Sequence, residues 1–148
     1  MYHRILIAYD GSPDAEKALR AAITLAKESA AELHLVAVEE GLPRYAATAD
    51  EMDAMKEQKD AYYQRLCGQA EAEAARDGLA ISPHVLPGHP SRVIPDLARQ
   101  LGCDLIVVGF HGHSAIYDRV WGQRALSASA RGSRGVVFQS DCSVLIAR

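Results

Sequence analysis

Five short apolar runs divide the chain at intervals that suit strands separated by helices. They are residues 4–9, 32–38, 80–86, 104–109 and 143–147. The first, fourth and fifth runs are almost continuously apolar, which is typical of strands buried on both faces of a parallel sheet. Pro83 weakens the third run and confines it to a sheet edge or to the end of a strand, because proline cannot donate to a ladder.

The segments between these runs predict helices. Ser12 followed by Pro13 marks the start of the first one, and acidic side chains follow in its first turn, where the helix dipole favours them. A long polar helix is predicted from about residue 50 to 76. A third helix ends at Leu101, and we expect it to begin at or just before Pro95, because a proline inside a helix costs about 3 kcal/mol.

Strands that alternate with helices predict an α/β fold with a parallel sheet, right-handed crossovers and helices on both faces. The length of 148 residues suits a single domain that spans residues 1–148. In open sheets of this kind, ligands bind beyond the carboxyl ends of the strands, where the strand order reverses. Asp10, Val38 and Gly109 all lie at such ends, so we expect the functional site there.

Composition narrows the class of protein. Hydrophobic residues make up 49% of the chain, enough for a real core. No apolar run approaches the roughly 20 residues that span a bilayer, and the first strand begins so early that no room is left for a signal peptide. The three cysteines are too few and too scattered for a disulfide or zinc framework. We therefore expect a cytoplasmic protein without a membrane partner.

The last part of the chain is basic although the whole carries a formal net charge of −3. Residues 110–148 contain five arginines and only two aspartates. This part also carries the glycines that follow the fourth strand, which favours a local anion site over a nucleic-acid surface. A solvated helix face of mixed charge is the alternative.

Glycines at 109, 112 and 122 directly follow or end the fourth apolar run. Bare backbone N–H groups at the start of a helix attract phosphate, and glycine lets the backbone approach a ligand closely. An ordinary turn from a strand to a helix has the same composition. The glycines alone leave both interpretations open.

Taken together, four segments resemble the universal stress protein family. They are ILIAYDGSPDAEKAL at the start, GHPSRVI before the third helix, DLIVVGFHGHS in the middle and DCSVLIAR at the end. The resemblance spans nearly the whole chain, and the order and spacing of the four segments make it specific. It implies a Rossmann-like five-stranded parallel sheet in a single domain. It also implies a homodimer through the C-terminal strand, residues 143–147, in addition to protein partners that the sequence does not identify.

The resemblance further implies a site for ATP with Mg²⁺, or for a simple anion in the phosphate site when no nucleotide is bound. Asp10 corresponds to an acidic residue that faces the ribose and the metal, and Val38 lies near the backbone that contacts the adenine edge. The amides that hold the phosphates correspond to residues 109–113, which include His111, Gly112 and His113. An alternative for Asp10 is that it only caps the turn into the first helix.

The chain departs from the family pattern after Gly122. The family has a hydroxyl-bearing residue next, and this chain has Gln123. About eight residues, roughly QRALSASA, are inserted before Cys142, and counting back from that cysteine places Ser133 at the family's serine position. Either Gly122 or the segment 131–133 closes the site. The family therefore leaves two functions open: a dimeric ATP-binding stress-response module, or a dimeric interaction module that binds no nucleotide.

The residues argue against a dedicated enzyme, and at most slow ATP hydrolysis is expected. His111 and His113 have no evident third metal ligand, so we interpret them as loop residues. Asp10 lies beside Ser12, but no base is positioned by the sequence to activate that hydroxyl. A response-regulator receiver would need an acidic pair after the first strand and an aspartate after the third, and this chain has neither.

Overall fold

The fold is described by a computed structural model for residues 1–39, 48–110 and 140–148. Along these residues the order of elements is β1 (Arg4–Ala8), α1 (Pro13–Ser29), β2 (Glu32–Glu39), α2 (Ala49–Arg76), β3 (Ile81–Pro87), α3 (Pro90–Leu101), β4 (Leu105–Gly109) and β5 (Ser143–Ala147). The strands form one parallel sheet in the order β3-β2-β1-β4-β5. The predicted α/β fold with a five-stranded parallel sheet is confirmed, and the strand bounds differ from the prediction by one residue at most.

Alternate side chains of the central strands supply two separate hydrophobic clusters. Ile5 and Ile7 of β1 pack with α1 and α2 on one face. Leu6, which lies between them in sequence, packs with α3 on the other face. All three side chains are fully buried. Helices therefore cover both faces of the sheet, as its continuous apolar strands require.

The third helix begins earlier than the sequence led us to expect. It starts at Pro90, and Pro95 lies inside it, so the predicted start at or just before Pro95 is wrong. The His89 ring accepts a hydrogen bond from the Ser91 amide at 3.3 Å, and Pro90 occupies the first helical position, where its missing N–H is not needed. Pro95 is buried in the folded protein. The cap and this burial offset the one intrahelical donor that Pro95 lacks.

Two strands form the edges of the sheet. β3, which contains Pro83, is one edge, as predicted from that proline. β5 is the other edge, and its side chains Leu145 and Ile146 are 38% and 37% exposed. Within the described ranges, no helix is long and apolar enough to cross a membrane.

A carboxylate joins the start of β1 to the start of β4. Asp104, just before β4, accepts hydrogen bonds from the backbone amides of His3 and Arg4 at 2.9 and 3.1 Å. Partial burial opposes the charged form of Asp104, but the amide donors outweigh it and hold the pKa of this carboxyl below its ordinary value.

We predict that Asp104 contributes to the acid sensitivity of the fold. A carboxyl whose pKa is lowered in the folded state stabilises that state above its unfolded pKa, and the contribution is lost as the pH falls through the folded pKa. Asp104→Asn should therefore be less stable than wild type at pH 7, and the difference should shrink below about pH 4, near the ordinary pKa of an aspartate side chain. Urea unfolding at a series of pH values measures this. A difference that is constant from pH 7 to pH 3 would contradict it.

Candidate functional site

The strand order reverses between β1 and β4. From β1 the chain continues to β2 and β3 on one side, whereas β4 leads to β5 on the other side. The two strands are paired, with Ile7 opposite Val107. The connections after these two strands lead to strands on opposite sides of the sheet, and open α/β sheets bind ligands in the crevice at such a point. Asp10 follows β1 and Gly109 ends β4, so the structure brings two of the predicted site residues to this reversal point.

A tight turn connects β1 to α1. Gly11 has a φ of +77°, a left-handed conformation that favours glycine. The Asp10 carboxylate Oδ1 accepts a hydrogen bond from the Ser12 amide at 3.0 Å. Ser12 is 2% exposed, and its Oγ accepts from the Ala15 amide at 3.1 Å, which caps α1. Asp10, which is half-buried, thus has the turn-capping role that was one of its two predicted roles.

Gly109 is required by packing against α1. Its φ lies outside the left-handed region. A Cβ atom at this position would lie 2.8 Å from the carbonyl carbon of Asp14 and 2.9 Å from the amide nitrogen of Ala15. Both are backbone atoms of the first turn of α1, and they cannot rotate away. The end of β4 and the start of α1 are therefore in direct backbone contact beside the crevice.

The first turn of α1 already carries negative charge. The Asp14 carboxylate forms an ion pair with Lys17, with 3.3 Å between Oδ1 and Nζ. The Glu16 carboxylate accepts a hydrogen bond from the Tyr9 hydroxyl. Burial of Tyr9, followed by its hydrogen bond to Glu16, raises the pKa of the tyrosine well above its usual value. Because these carboxylates already complement the positive end of the helix dipole, the start of α1 is a poor place for a phosphate.

The carboxyl end of β2 is held by the long helix α2. The Tyr63 hydroxyl donates to the carbonyl oxygen of Val38 at 3.4 Å. Val38 is half-buried and packs against the hydrophobic cluster beneath α3. β1 lies between β2 and β4, so Val38 is one strand further from Gly109 than Asp10 is.

Tyr63 was not singled out from the sequence because α2 is polar overall. The signal was present as an apolar stripe at helical spacing, which faces the sheet and consists of Tyr63, Leu66, Cys67, Ala70 and Ala74. Tyr9 was likewise interpreted only as the last residue of the first strand. Its hydroxyl contact with Glu16 depends on the position of α1, which no local pattern reveals.

Six predicted site residues lie outside the described part of the chain: His111, Gly112, His113, Gly122, Gln123 and Ser133. The inserted segment lies there too. Their predicted contacts with phosphate stay predictions. Within residues 1–39, 48–110 and 140–148, no group of three or more His, Cys, Asp or Glu side chains is arranged to hold a metal ion.

We predict that Gly109→Ala lowers the stability of the protein itself, by about 1–3 kcal/mol, the usual cost of overpacking a close contact. Gly68 provides a matched control. It lies within α2, and a Cβ atom added there would have nothing within 4 Å. Gly68→Ala should be stabilising by about 0.5–1 kcal/mol, since alanine is the better helix former. Urea unfolding of the two variants and wild type measures both effects. Equal stability of Gly109→Ala and wild type would contradict the packing argument.

Comparison with known proteins places this architecture in one family. The model of the Universal stress protein family matches residues 1–148. Universal stress protein YxiE from Bacillus subtilis is 30% identical over 158 aligned positions, which cover all of both chains.

Solved structures agree with this comparison. Universal stress protein UspA from Lactobacillus plantarum is 25% identical, with a TM-score of 0.74 over 99% of this chain and 98% of that one. A universal stress protein in complex with cAMP is 24% identical and shares the fold, with a TM-score of 0.65 over 99% of this chain and 97% of that one. The match over the full sequence, together with the shared parallel sheet, shows that the chain belongs to the universal stress protein family.

Proposed function

We propose that the protein binds an adenine nucleotide, ATP with Mg²⁺, in the crevice at the carboxyl ends of β1 and β4. In this proposal it acts as a dimeric stress-response or signalling module with at most slow ATP hydrolysis. The observation that carries the proposal is the position of Asp10 and Gly109 on either side of the point where the strand order reverses. Such points are where open α/β sheets bind nucleotides.

The distribution of charge suggests how a nucleotide would be oriented. The turn after β1 and the first turn of α1 carry the carboxylates of Asp10, Asp14 and Glu16. Carboxylates accept hydrogen bonds from ribose hydroxyls and are ligands that Mg²⁺ prefers, but they repel phosphate. The chain beyond β4 is rich in glycine and arginine, which suit phosphate. The ribose and metal would therefore lie toward β1, and the phosphates toward the segment after β4.

The residues described around the crevice fit binding better than catalysis. The Ser12 hydroxyl is buried and occupied as the cap of α1, so it is not presented as a nucleophile. The Tyr9 hydroxyl is buried in its contact with Glu16. Mg²⁺ would supply charge neutralisation for the phosphates, and Asp10 would orient the ribose or the metal.

One of the compared structures supports the choice of adenine nucleotides. It holds cAMP, which shares the adenine and ribose of ATP, on the same fold. In this proposal the adenine edge lies near Val38, at the end of β2. Tyr63, which donates to the Val38 carbonyl, would set the position of that backbone.

We predict that two substitutions at Asp10 separate its roles. Asp10→Asn retains an oxygen that can accept from the Ser12 amide, but it removes the charge, whereas Asp10→Ala removes both. Both variants should bind Mg²⁺–ATP more weakly, the alanine variant by about 1–3 kcal/mol, the cost of losing a partner in a charged hydrogen bond. Only Asp10→Ala should also lower the melting temperature clearly. Calorimetric titration and thermal unfolding measure the two effects.

Two results would overturn this part of the proposal. If the wild type binds no ATP, ADP or AMP at millimolar concentration, the alternative of an interaction module without nucleotide is favoured. If the wild type binds but both Asp10 variants bind equally well, Asp10 serves only the turn into α1. Analysis of any small molecule released when the purified protein is denatured gives an independent check of the nucleotide.

The homodimer is proposed to form through β5. Among the described strands, β5 pairs on one side only, with β4. An apolar edge strand is an aggregation hazard unless something covers it, and a second copy related by a two-fold axis can do so. Val144 packs toward α3, and Leu145 points to the opposite face, so a paired edge would bury backbone and side chains together.

We predict that Leu145→Asp yields a monomer in sedimentation equilibrium at tens of micromolar, because a carboxylate at this edge would be buried unpaired in the dimer. Val85 provides the matched control: it is also 38% exposed, and it lies on β3 at the opposite edge. Val85→Asp should leave the mass of the dimer unchanged. A wild type that is already monomeric, or a Leu145→Asp variant that remains a dimer, would refute the β5 interface.

A further inference from the structure

A row of polar side chains crosses three adjacent strands on the face that α3 covers. Arg4 of β1 donates from Nε to Glu32 of β2 at 2.7 Å. Glu32 Oε2 lies 3.8 Å from Nε2 of His34, two residues further along the same strand. The other ring nitrogen of His34, Nδ1, lies 3.3 Å from Nε2 of His84 on β3. The row links the sheet edge β3 to the centre of the sheet.

The two histidine rings are held against each other by the register of the strands. His34 is paired with Ser82 and His84 with Val36, so the histidines lie diagonally across the β2–β3 ladder. Their ring centroids are 5.5 Å apart, and the ring planes are inclined by 29°. The side chain of His34 is 15% exposed, and His84 is half-buried. Both rings are therefore positioned by the sheet and still reachable from solvent.

The hydrogen bond between the two rings requires that at least one of them is a neutral imidazole. A hydrogen bond between two imidazoles needs one nitrogen without a proton as acceptor. Arg4 is the nearest cation of the row, and Glu32 neutralises it directly. Neutral imidazole is the form that binds metal ions.

We propose that His34 and His84 form a site for a divalent transition cation of the kind that imidazole prefers, with Zn²⁺ as the reference ion. Nitrogens bound to tetrahedral zinc lie about 2.0–2.1 Å from the ion, which places two of them about 3.3–3.4 Å apart. The observed separation between His34 Nδ1 and His84 Nε2 is 3.3 Å. A small rotation of the rings would turn both lone pairs toward a shared ion.

The surroundings of the pair resemble those of metal-binding histidines. Such a histidine commonly directs its second ring nitrogen at a carboxylate, which orients the ring and raises its basicity. Glu32 has this position relative to His34 Nε2, and Arg4 holds Glu32 in turn. Because the described residues include no third protein ligand, water would complete the coordination. The site would be a labile one that joins the edge strand β3 to β2.

This site is independent of the proposed nucleotide site. The histidines lie within β2 and β3, whereas the crevice lies beyond the ends of β1 and β4. A cation that binds only the folded protein stabilises it by mass action. Because the two ligands lie on β2 and β3, the bound ion would strengthen the attachment of the edge strand β3 to the sheet. The expected consequence is a fold whose stability responds to available zinc.

Zinc titration with a matched set of variants tests the proposal. His34→Gln and His84→Gln should each weaken Zn²⁺ binding about tenfold or more, measured against a chromophoric chelator. His3→Gln is the control, since His3 is exposed on the surface beside Asp104 and does not touch the pair. It should bind Zn²⁺ as wild type does. Circular dichroism in zinc-free buffer establishes that each variant is folded.

Nuclear magnetic resonance of the wild type keeps the test decisive if a variant does not fold. Addition of Zn²⁺ should shift the imidazole Cε1–H signals of both His34 and His84 at the same zinc concentration, and the His3 signal should not follow them. The proposal is overturned if these two signals do not respond together, or if folded His34→Gln and His84→Gln variants retain wild-type affinity. Weak zinc binding that is equal in all variants would belong to other groups and would also refute it.

Discussion

The backbone contact between the end of β4 and the first turn of α1 is the constraint on which the rest of this structure depends. At Gly109 the main chain approaches Asp14 and Ala15 so closely that a single Cβ atom would overlap them. This contact holds the exit of β4 beside the exit of β1, and it sets the angle at which α1 leaves the sheet. The crevice at the reversal of strand order has its shape because of it.

The first turn of α1, which takes part in this contact, also carries negative charge. The start of α1 is capped by Ser12 and complemented by acidic side chains, with Tyr9 buried against one of them. In the sequence, the part of the chain that follows β4 is rich in arginine. The orientation proposed for a nucleotide, with its sugar toward β1 and its phosphates away from it, rests on this distribution of charge along the chain.

Local patterns were sufficient for the strands, because continuous apolar runs and the edge signal of Pro83 arise from the chemistry of single residues. Pro95 misled the prediction of α3, since the burial that offsets the cost of an internal proline exists only in the folded protein. The role of the site residues stays a prediction. For Gly109 the sequence left a phosphate contact and an ordinary turn open, and the structure adds a third reason for glycine, its contact with α1. Its partner Ala15 lies 94 positions earlier in the chain, so no pattern around Gly109 could reveal the contact. The hydrogen bond of Tyr63 depends in the same way on distant segments.

The central claim is that a nucleotide binds where β1 and β4 end, and backbone amide shifts during a titration with Mg²⁺–ATP test it most directly. The account predicts saturable shifts that are largest at Asp10, Gly11 and Gly109, smaller shifts at the end of β2, and little change at the edge strands β3 and β5. Saturable shifts centred on any other face of the sheet, or no saturable shift at millimolar nucleotide, would contradict it.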